Sequence, residues 1–259
     1  MNSLTVSGRT ALLLALFVAA CALGAGCDGD LPAPTPDLGV PDLGKTVDAK
    51  PDSIQPDTVP AKLEPGVIGA YSAAAAKGGK VVASAYERSF GDLVIVSANA
   101  TALDKLAVEV VDGVPNNPPS KDPKGYRGGI EEVGDDVGLH TDILITATGS
   151  PMVVYRDKTN NAIKFAFKAA DKWARHVVVK ATGTSETIGL HSDMMLVGGK
   201  PGVAFLALGV KGTGGAFKAE LRWAEAKVFV PKTTADWFVT TIESAPMPTT
   251  TATMMPVFE

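Results

Sequence analysis

Beyond residue 27 this 259-residue chain contains no cysteine. A cysteine-free body needs no disulfide and offers no thiolate as metal ligand or nucleophile. A basic field is also missing. The net charge is −4, residues 28–64 hold eight Asp/Glu against three Lys, and from residue 65 onward acids and bases balance at twenty each. Without surplus Lys and Arg there is nothing to attract a phosphate backbone, so nucleic acid is not an expected partner. Lys211-Gly212-Thr213-Gly214-Gly215 is glycine-rich but lacks the spacing of a phosphate loop and reads as a hairpin turn. There is no Gly-x-Ser-x-Gly elbow and no spaced calcium loop.

What the chain does have is a repeated phrase. Val137-Gly138-Leu139-His140-Thr141-Asp142 returns as Ile188-Gly189-Leu190-His191-Ser192-Asp193. A looser copy is Ile68-Gly69-Ala70-Tyr71-Ser72-Ala73. Each copy leads into an apolar stretch, a glycine-containing turn and a second stretch ending on Tyr86, Tyr155 or Phe205. Self-similarity of this kind implies one supersecondary unit used about three times.

The N-terminus reads as an address. Arg9 precedes an apolar run of about eleven residues and then small residues, the layout of a secretory signal and too short to span a bilayer at roughly 20 residues. Val18-Ala19-Ala20-Cys21 and Leu23-Gly24-Ala25-Gly26-Cys27 both resemble the lipobox of bacterial lipoproteins. That resemblance implies lipidation of one of the two, Cys21 or Cys27, and a membrane surface as partner, with residues 1–27 as signal and lipobox region. Residues 28–64 carry Pro36-Asp37, Pro41-Asp42, Pro51-Asp52 and Pro56-Asp57, a decayed pentad. Proline blocks helix and sheet, and like charges extend the chain, so a disordered acidic tether is expected there.

Residues 65–259 read as β nearly throughout. The second unit is clearest. Ile143 to Thr146, Met152 to Tyr155, Ile163 to Phe167 and Trp173 to Val179 form four short strands separated by turn residues. The third unit repeats this, and in the first unit three strands can be named. Helix formers in 216–227 compete weakly, because the apolar period there is nearer two than 3.6. Tandem four-stranded units imply an all-β fold, an incomplete β-propeller of about three antiparallel blades over 65–113, 137–180 and 188–243.

The second unit's "Val-Gly-x-His-Thr … Gly-x-Pro-x-Val-x-Tyr-x-Asp … Asn-x-x-Ile-Lys-x-Ala … Trp" is similar to blades of BNR-like propellers, common in secreted and lipid-anchored bacterial proteins such as those of myxobacteria. The resemblance runs from about residue 69 to 242. It implies the fold and an extracytoplasmic, lipid-anchored place in the bacterial cell envelope, periplasmic or at the cell surface. It implies no assigned activity. Propellers close with about four to eight blades. Three blades imply a truncated member of the family, with closure by oligomerisation or a compressed barrel-like stack as alternatives.

Candidate chemistry is weighed against packing. His140-x-Asp142 and His191-x-Asp193 place two ligand types on one strand face. The first unit has Tyr71 and Ala73 there, so the expectation is a packed ring rather than a metal site. Glu131, Glu132, Asp135 and Asp136 read as a solvated loop. The sialidase Asp-box is absent, and nothing groups Arg88, Arg127, Arg156, Arg175 and Arg222. Trp173, Trp223 and Trp237 read as packing between blades. No catalytic residue, metal or cofactor is assigned, and binding residues are left unassigned. The expected function is a non-catalytic binding or structural scaffold whose partner is a protein or a glycan; the alternative is a sialidase-like or other extracellular glycoside hydrolase.

Overall fold

The computed structural model describes residues 62–116 and 118–247. Cys21, Cys27, the linker as far as residue 61 and the tail from 248 lie outside the described residues. The described chain is all β, built as three four-stranded antiparallel sheets. The first sheet holds β1 (Ile68–Lys77), β2 (Lys80–Glu87), β3 (Asp92–Asn99) and β4 (Ala102–Asp112). The second holds β5 (Val137–Ile145), β6 (Pro151–Asp157), β7 (Ala162–Ala169) and β8 (Lys172–Lys180). The third holds β9 (Thr187–Val197), β10 (Lys200–Lys211), β11 (Phe217–Ala226) and β12 (Trp237–Pro246). Strands pair in chain order within each sheet and none pairs across sheets, so the arrangement is an open, propeller-like stack rather than a barrel.

Two local results differ from sequence-based expectation. The first sheet has a full inner strand, β1, that composition hides. Ala73 to Ala76 are weak strand formers, yet they pair with Ser84, Ala83, Val82 and Val81 in unbroken register. Pairing overrides propensity there. The second difference concerns Tyr86. Ile68 pairs with Glu87, Val137 with Asp157 and Ile188 with Ala207. Tyr86 therefore corresponds to Arg156 and Leu206, while Ala85 corresponds to Tyr155 and Phe205. A shift of one residue in a strand moves a side chain to the other face.

The repeated phrase lies inside the inner strands, where it builds a bulge. Register breaks at 68/70 and 70/73 in β1, at 137/139 and 139/142 in β5, and again in β9 opposite Leu206. Gly69, Gly138 and Gly189 have φ of 134°, 97° and 82°. Tyr71, His140 and His191 follow with φ of 52°, 47° and 50°. Glycine takes positive φ at little cost. At Gly138 space demands it as well, since an added Cβ would lie 2.8 Å from the Cα of Leu93 in the neighbouring sheet.

Two cores join the sheets. Between the first and second lie Val82, Leu93, Ile95, Val111, Ile143 and Tyr155, with Trp173 packed on them. Between the second and third lie Met152, Phe165, Ile188, Phe205, Ala224 and Trp237, among others. Trp173 and Trp237 hold equivalent places: Trp173 pairs with Lys168, Trp237 with Ala226, each three residues beyond an equivalent ring, Phe165 or Trp223. Each fully buried ring contributes about 2–3 kcal/mol by removal from water. The second sheet thus packs against a neighbouring sheet on both faces, and the outer two sheets against one neighbour each.

Candidate functional site

The bulges aim three rings at the inner edge of the stack. Tyr71 lies 4.6 Å from His140 between ring centroids, and His140 lies 5.1 Å from His191. They form a column with one ring from each sheet. Burial of its ring, then the facing His191 and Arg156, lower the His140 pKa to about 4. His140 is therefore neutral at physiological pH.

The carboxylates of the His-x-Asp pairs do different work from their rings. Positive φ at the histidine breaks the simple two-residue alternation, so ring and carboxylate do not act as one ligand pair. Asp142 accepts from its neighbour Ile143 N at 2.7 Å and, across the junction, from Met194 N at 2.7 Å. Ser192 Oγ donates to the carbonyl of His140. Together these clasp β9 to β5. Burial raises the Asp142 carboxyl above its ordinary value, against the pull of those backbone N–H groups, and Asp193 adds to the rise. Among the described residues no three His, Cys, Asp or Glu side chains gather as a metal-ligand set.

A second polar cluster seals the first junction. Asp112, at the end of β4, accepts from Tyr155 Oη at 2.8 Å, from Arg175 Nη1 at 3.0 Å and from Lys164 Nζ. Lys168 donates to Glu109 at 2.6 Å. In the connection between the first two sheets, Tyr126–Gly129 forms a short 3₁₀ turn that drives Arg127 inward. Arg127 Nε donates to Asp92 at 2.5 Å, both side chains fully buried, and Nη1 donates to the carbonyl of Ile130 at 2.6 Å. Its guanidinium also covers the ring of Phe90 at 4.2 Å. Sequence reasoning passed over Asp92, Asp112 and Lys164, because the partners are 35 to 63 positions apart and no local pattern links them.

The third sheet carries its own staple. Glu186 accepts from Thr182 N at 2.8 Å and from Arg222 Nη1 at 2.6 Å. Burial alone would raise its carboxyl, but the Thr182 hydrogen bonds and the Arg222 charge hold it below the ordinary value. Trp237 Nε1 donates to His176 Nε2 at 2.9 Å, a bond that needs a neutral ring, and burial lowers the His176 pKa.

The remaining candidates disperse. Arg127, Arg175 and Arg222 each bind a different acid, so these three do not converge. Glu131 pairs with Lys121 at the surface, Asp136 with Lys158, and Asp135 accepts from Asn160. Glu131, Glu132 and Asp135 are exposed, whereas Asp136 is half-buried. Trp173 and Trp237 pack at junctions, whereas Trp223 lies over Gly202 on the outward face of the third sheet. Two shallow depressions flank the connection after β4, and the one beside Tyr126 includes Arg127, already engaged with Asp92.

No family model matches the chain, and no curated protein matches it. Among solved structures, a "putative glycoside hydrolase" from Bacteroides ovatus is similar at 13% identity with a TM-score of 0.36. The match covers 63% of this chain, which spans about half, 48%, of that structure. A likeness this distant carries no chemistry to this chain.

Proposed function

We propose that this chain is a non-catalytic scaffold of the bacterial cell envelope, held at a membrane surface by a lipid on Cys21 or Cys27. Its propeller-like sheets present loops to a protein or glycan. One observation supports the absence of catalysis. The buried charged side chains Glu87, Asp92, Asp112, Arg127, Asp157, Glu186 and Glu220 are all tied into the fold. Glu87 binds the amides of Ser89 and Phe90, and Asp157 binds that of Asn160, so both cap hairpins. The others form the ion pairs described above, with Glu220 joined to Lys218 and Arg222. Catalytic sites keep perturbed acids and bases facing a cleft. Here those groups face one another or backbone amides.

The purified chain is therefore expected to turn over none of a broad panel of chromogenic glycosides. Turnover that is lost on substituting one carboxylate would establish the hydrolase alternative instead. The anchor has its own test. Mass spectrometry of the mature N-terminus should find a diacylglyceryl cysteine at position 21 or 27. An unmodified terminus would remove the membrane from the proposal.

A further inference from the structure

The three sheets are built alike, and one turn breaks the pattern. Residues 100–101 join β3 to β4, and residues 170–171 join β7 to β8. The connection from β11 to β12 is much longer, residues 227–236. This loop is braced from within. Lys227 N donates to the carbonyl of Asp236 at 2.7 Å, and the Asp236 carboxylate accepts from Lys232 N at 2.8 Å and Thr233 N at 3.0 Å. Val230 packs on the second core and Pro231 is buried. Val228 and Phe229, at the head of the loop, stay outside at 44% and 46% exposed. The neighbouring hairpin, between β9 and β10, adds Leu196 and Val197 at 40% and 41%. The two turns adjoin, since a Cβ on Gly199 would lie 3.8 Å from the Phe229 ring. Counted from the repeated phrase, the first sheet has Ala76 and Lys77 where Leu196 and Val197 stand. The second has Thr146 and Ile145, and that isoleucine packs on the first core. Only the third sheet holds large apolar side chains outward on a braced tip, and an exposed apolar patch of that kind marks a contact.

Charge is also segregated by end, which the balanced total conceals. The sheets run the same way, for Lys77 Nζ at the end of β1 reaches the Thr146 carbonyl at the end of β5 at 2.9 Å. The tip therefore shares its end with the turns at 77–80, 99–102, 145–151 and 169–172. With 197–200 and 226–237, these turns hold six Lys and no Arg against two Asp. The opposite end, at 87–92, 112–137, 157–162, 180–187 and 211–217, holds ten Asp/Glu against seven Lys/Arg. Lys200, Lys227 and Lys232 flank the tip. Lys200 lies 3.9 Å from Glu225, a loose surface pair, and Lys227 donates to the Ala235 carbonyl, which leaves its charge uncancelled.

We propose that this tip docks the stack on an anionic lipid surface, with Leu196, Val197, Val228 and Phe229 entering the headgroup boundary and the lysines of that end lying against lipid phosphates. Two features select a bilayer. The four side chains project from turns instead of lining a groove, and entry into lipid needs no complementary pocket. The cations around them are all lysines, compact point charges suited to mobile headgroups rather than to one fixed anion held bidentately. Binding of this kind scales with the apolar area buried plus the attraction of anionic headgroups. A loop already braced loses little freedom on docking. This goes beyond a lipid on Cys21 or Cys27 and does not require it. The lipid holds the chain at a surface, and the tip sets which end of the stack faces that surface. The chain enters β1 at the acidic end, which an anionic surface repels. Strands of at most 12 residues make the stack about 40 Å tall, less than the linker expected over 28–64 spans at about 3 Å per extended residue.

The test uses the full 259-residue chain and vesicles of phosphatidylcholine with about 30% phosphatidylglycerol, some of the lipid carrying brominated acyl chains. The apolar run near the N-terminus is expected to enter lipid by itself, so the readout is local. Phe229→Trp places an indole in the tip. Val133→Trp places one at the acidic end, where Val133 is 60% exposed. Bromine should quench the added emission of Phe229→Trp by half or more and leave that of Val133→Trp unchanged. On phosphatidylcholine alone most of that difference should vanish. Lys200→Gln together with Lys232→Gln, in the Phe229→Trp chain, should raise the vesicle concentration for half-maximal quenching about tenfold. Strand circular dichroism checks each variant, and Val228→Trp replaces Phe229→Trp should that signal be lost. Three results overturn the proposal: an unquenched tip, equal quenching at both ends, or quenching as strong on phosphatidylcholine alone. An unquenched tip on a chain that dextran sulfate strips from the vesicles would assign the lysines to a soluble acidic polymer instead. Neither turnover nor the mature N-terminus enters these readings, so their failure leaves the scaffold proposal standing.

Discussion

The two internal junctions solve one packing problem with different chemistry. The first, between sheets one and two, is stitched by charge. Asp112 gathers Tyr155, Lys164 and Arg175, Glu109 holds Lys168, and Arg127 is buried against Asp92 nearby. The second is stitched by rings and by backbone. Phe165, Phe205 and Trp237 pack together, His176 accepts from Trp237, and Asp142 and Ser192 clasp the inner strands. At the first junction Ala73 occupies the place of Asp142, so the Asp clasp is missing there. Charge networks confer register more than net stability, because desolvation offsets most of the Coulomb gain. Apolar rings confer net stability with weaker directionality. The repeat therefore fixes the strand meander and leaves the junction chemistry free to vary.

The largest effect expected from breaking the comparison is at the second junction. Phe205→Ala deletes a fully buried ring and should cost about 4 kcal/mol, read as a fall in the urea midpoint. In the first sheet's own connection, Arg127→Met strands the buried Asp92 carboxylate and should cost about 3 kcal/mol. If the sheets unfold together, both variants shift one transition. If Arg127→Met instead yields a separate early transition, the first sheet unfolds on its own and the charged junction is the weaker seam.

Acid should loosen the column that crosses both junctions. His140 titrates near 4 in the fold and near 6.5 when unfolded. Above pH 6.5 its contribution is complete. Between 6.5 and 4 the unfolded chain takes up a proton that the native ring refuses, so stability falls as pH falls. Discounted for the ring's partial exposure, the loss is about 1–2 kcal/mol. His140→Tyr copies the ring that the first sheet uses at this place. It should flatten that part of the pH dependence while keeping the column. An unchanged slope between pH 6.5 and 4 would assign the acid sensitivity to other groups, with His176 the next to examine.

The fold was legible where it rests on local rules. The repeated phrase at 137–142 and 188–193 marks the start of each unit, and the alternation Ile163, Phe165, Phe167 marks a strand. Legibility failed in three physical ways. Ala73 to Ala76 lack the side chains that advertise a strand, so β1 depends on its partner. Tyr86 resembles Tyr155 in sequence but is one residue out of register, and a single-residue slip cannot be seen without the pairing. The His-x-Asp pairs suggested convergence because alternation was assumed, whereas the bulge itself removes alternation. The junction chemistry was not legible at all. Asp112 looks like a strand stop beside Gly113, and only the docking of the second sheet brings Lys164 and Arg175 to it.

The smallest expected effect is also the most direct comparison. Tyr155 and Phe205 hold equivalent positions, both fully buried, and differ by one hydroxyl. Tyr155→Phe therefore gives the first junction the residue that the second already uses. The ring and its packing remain, and Asp112 keeps Lys164 and Arg175, so it is left with charge partners. Loss of one hydrogen bond in a site that stays satisfied should cost about 1 kcal/mol in the urea midpoint. A cost near 3 kcal/mol would mean that the hydroxyl organises the whole charged cluster, because removing it would then loosen both cations as well. A cost near zero would mean that Lys164 and Arg175 alone fix Asp112, and that the two junctions differ less in strength than in the atoms that make them.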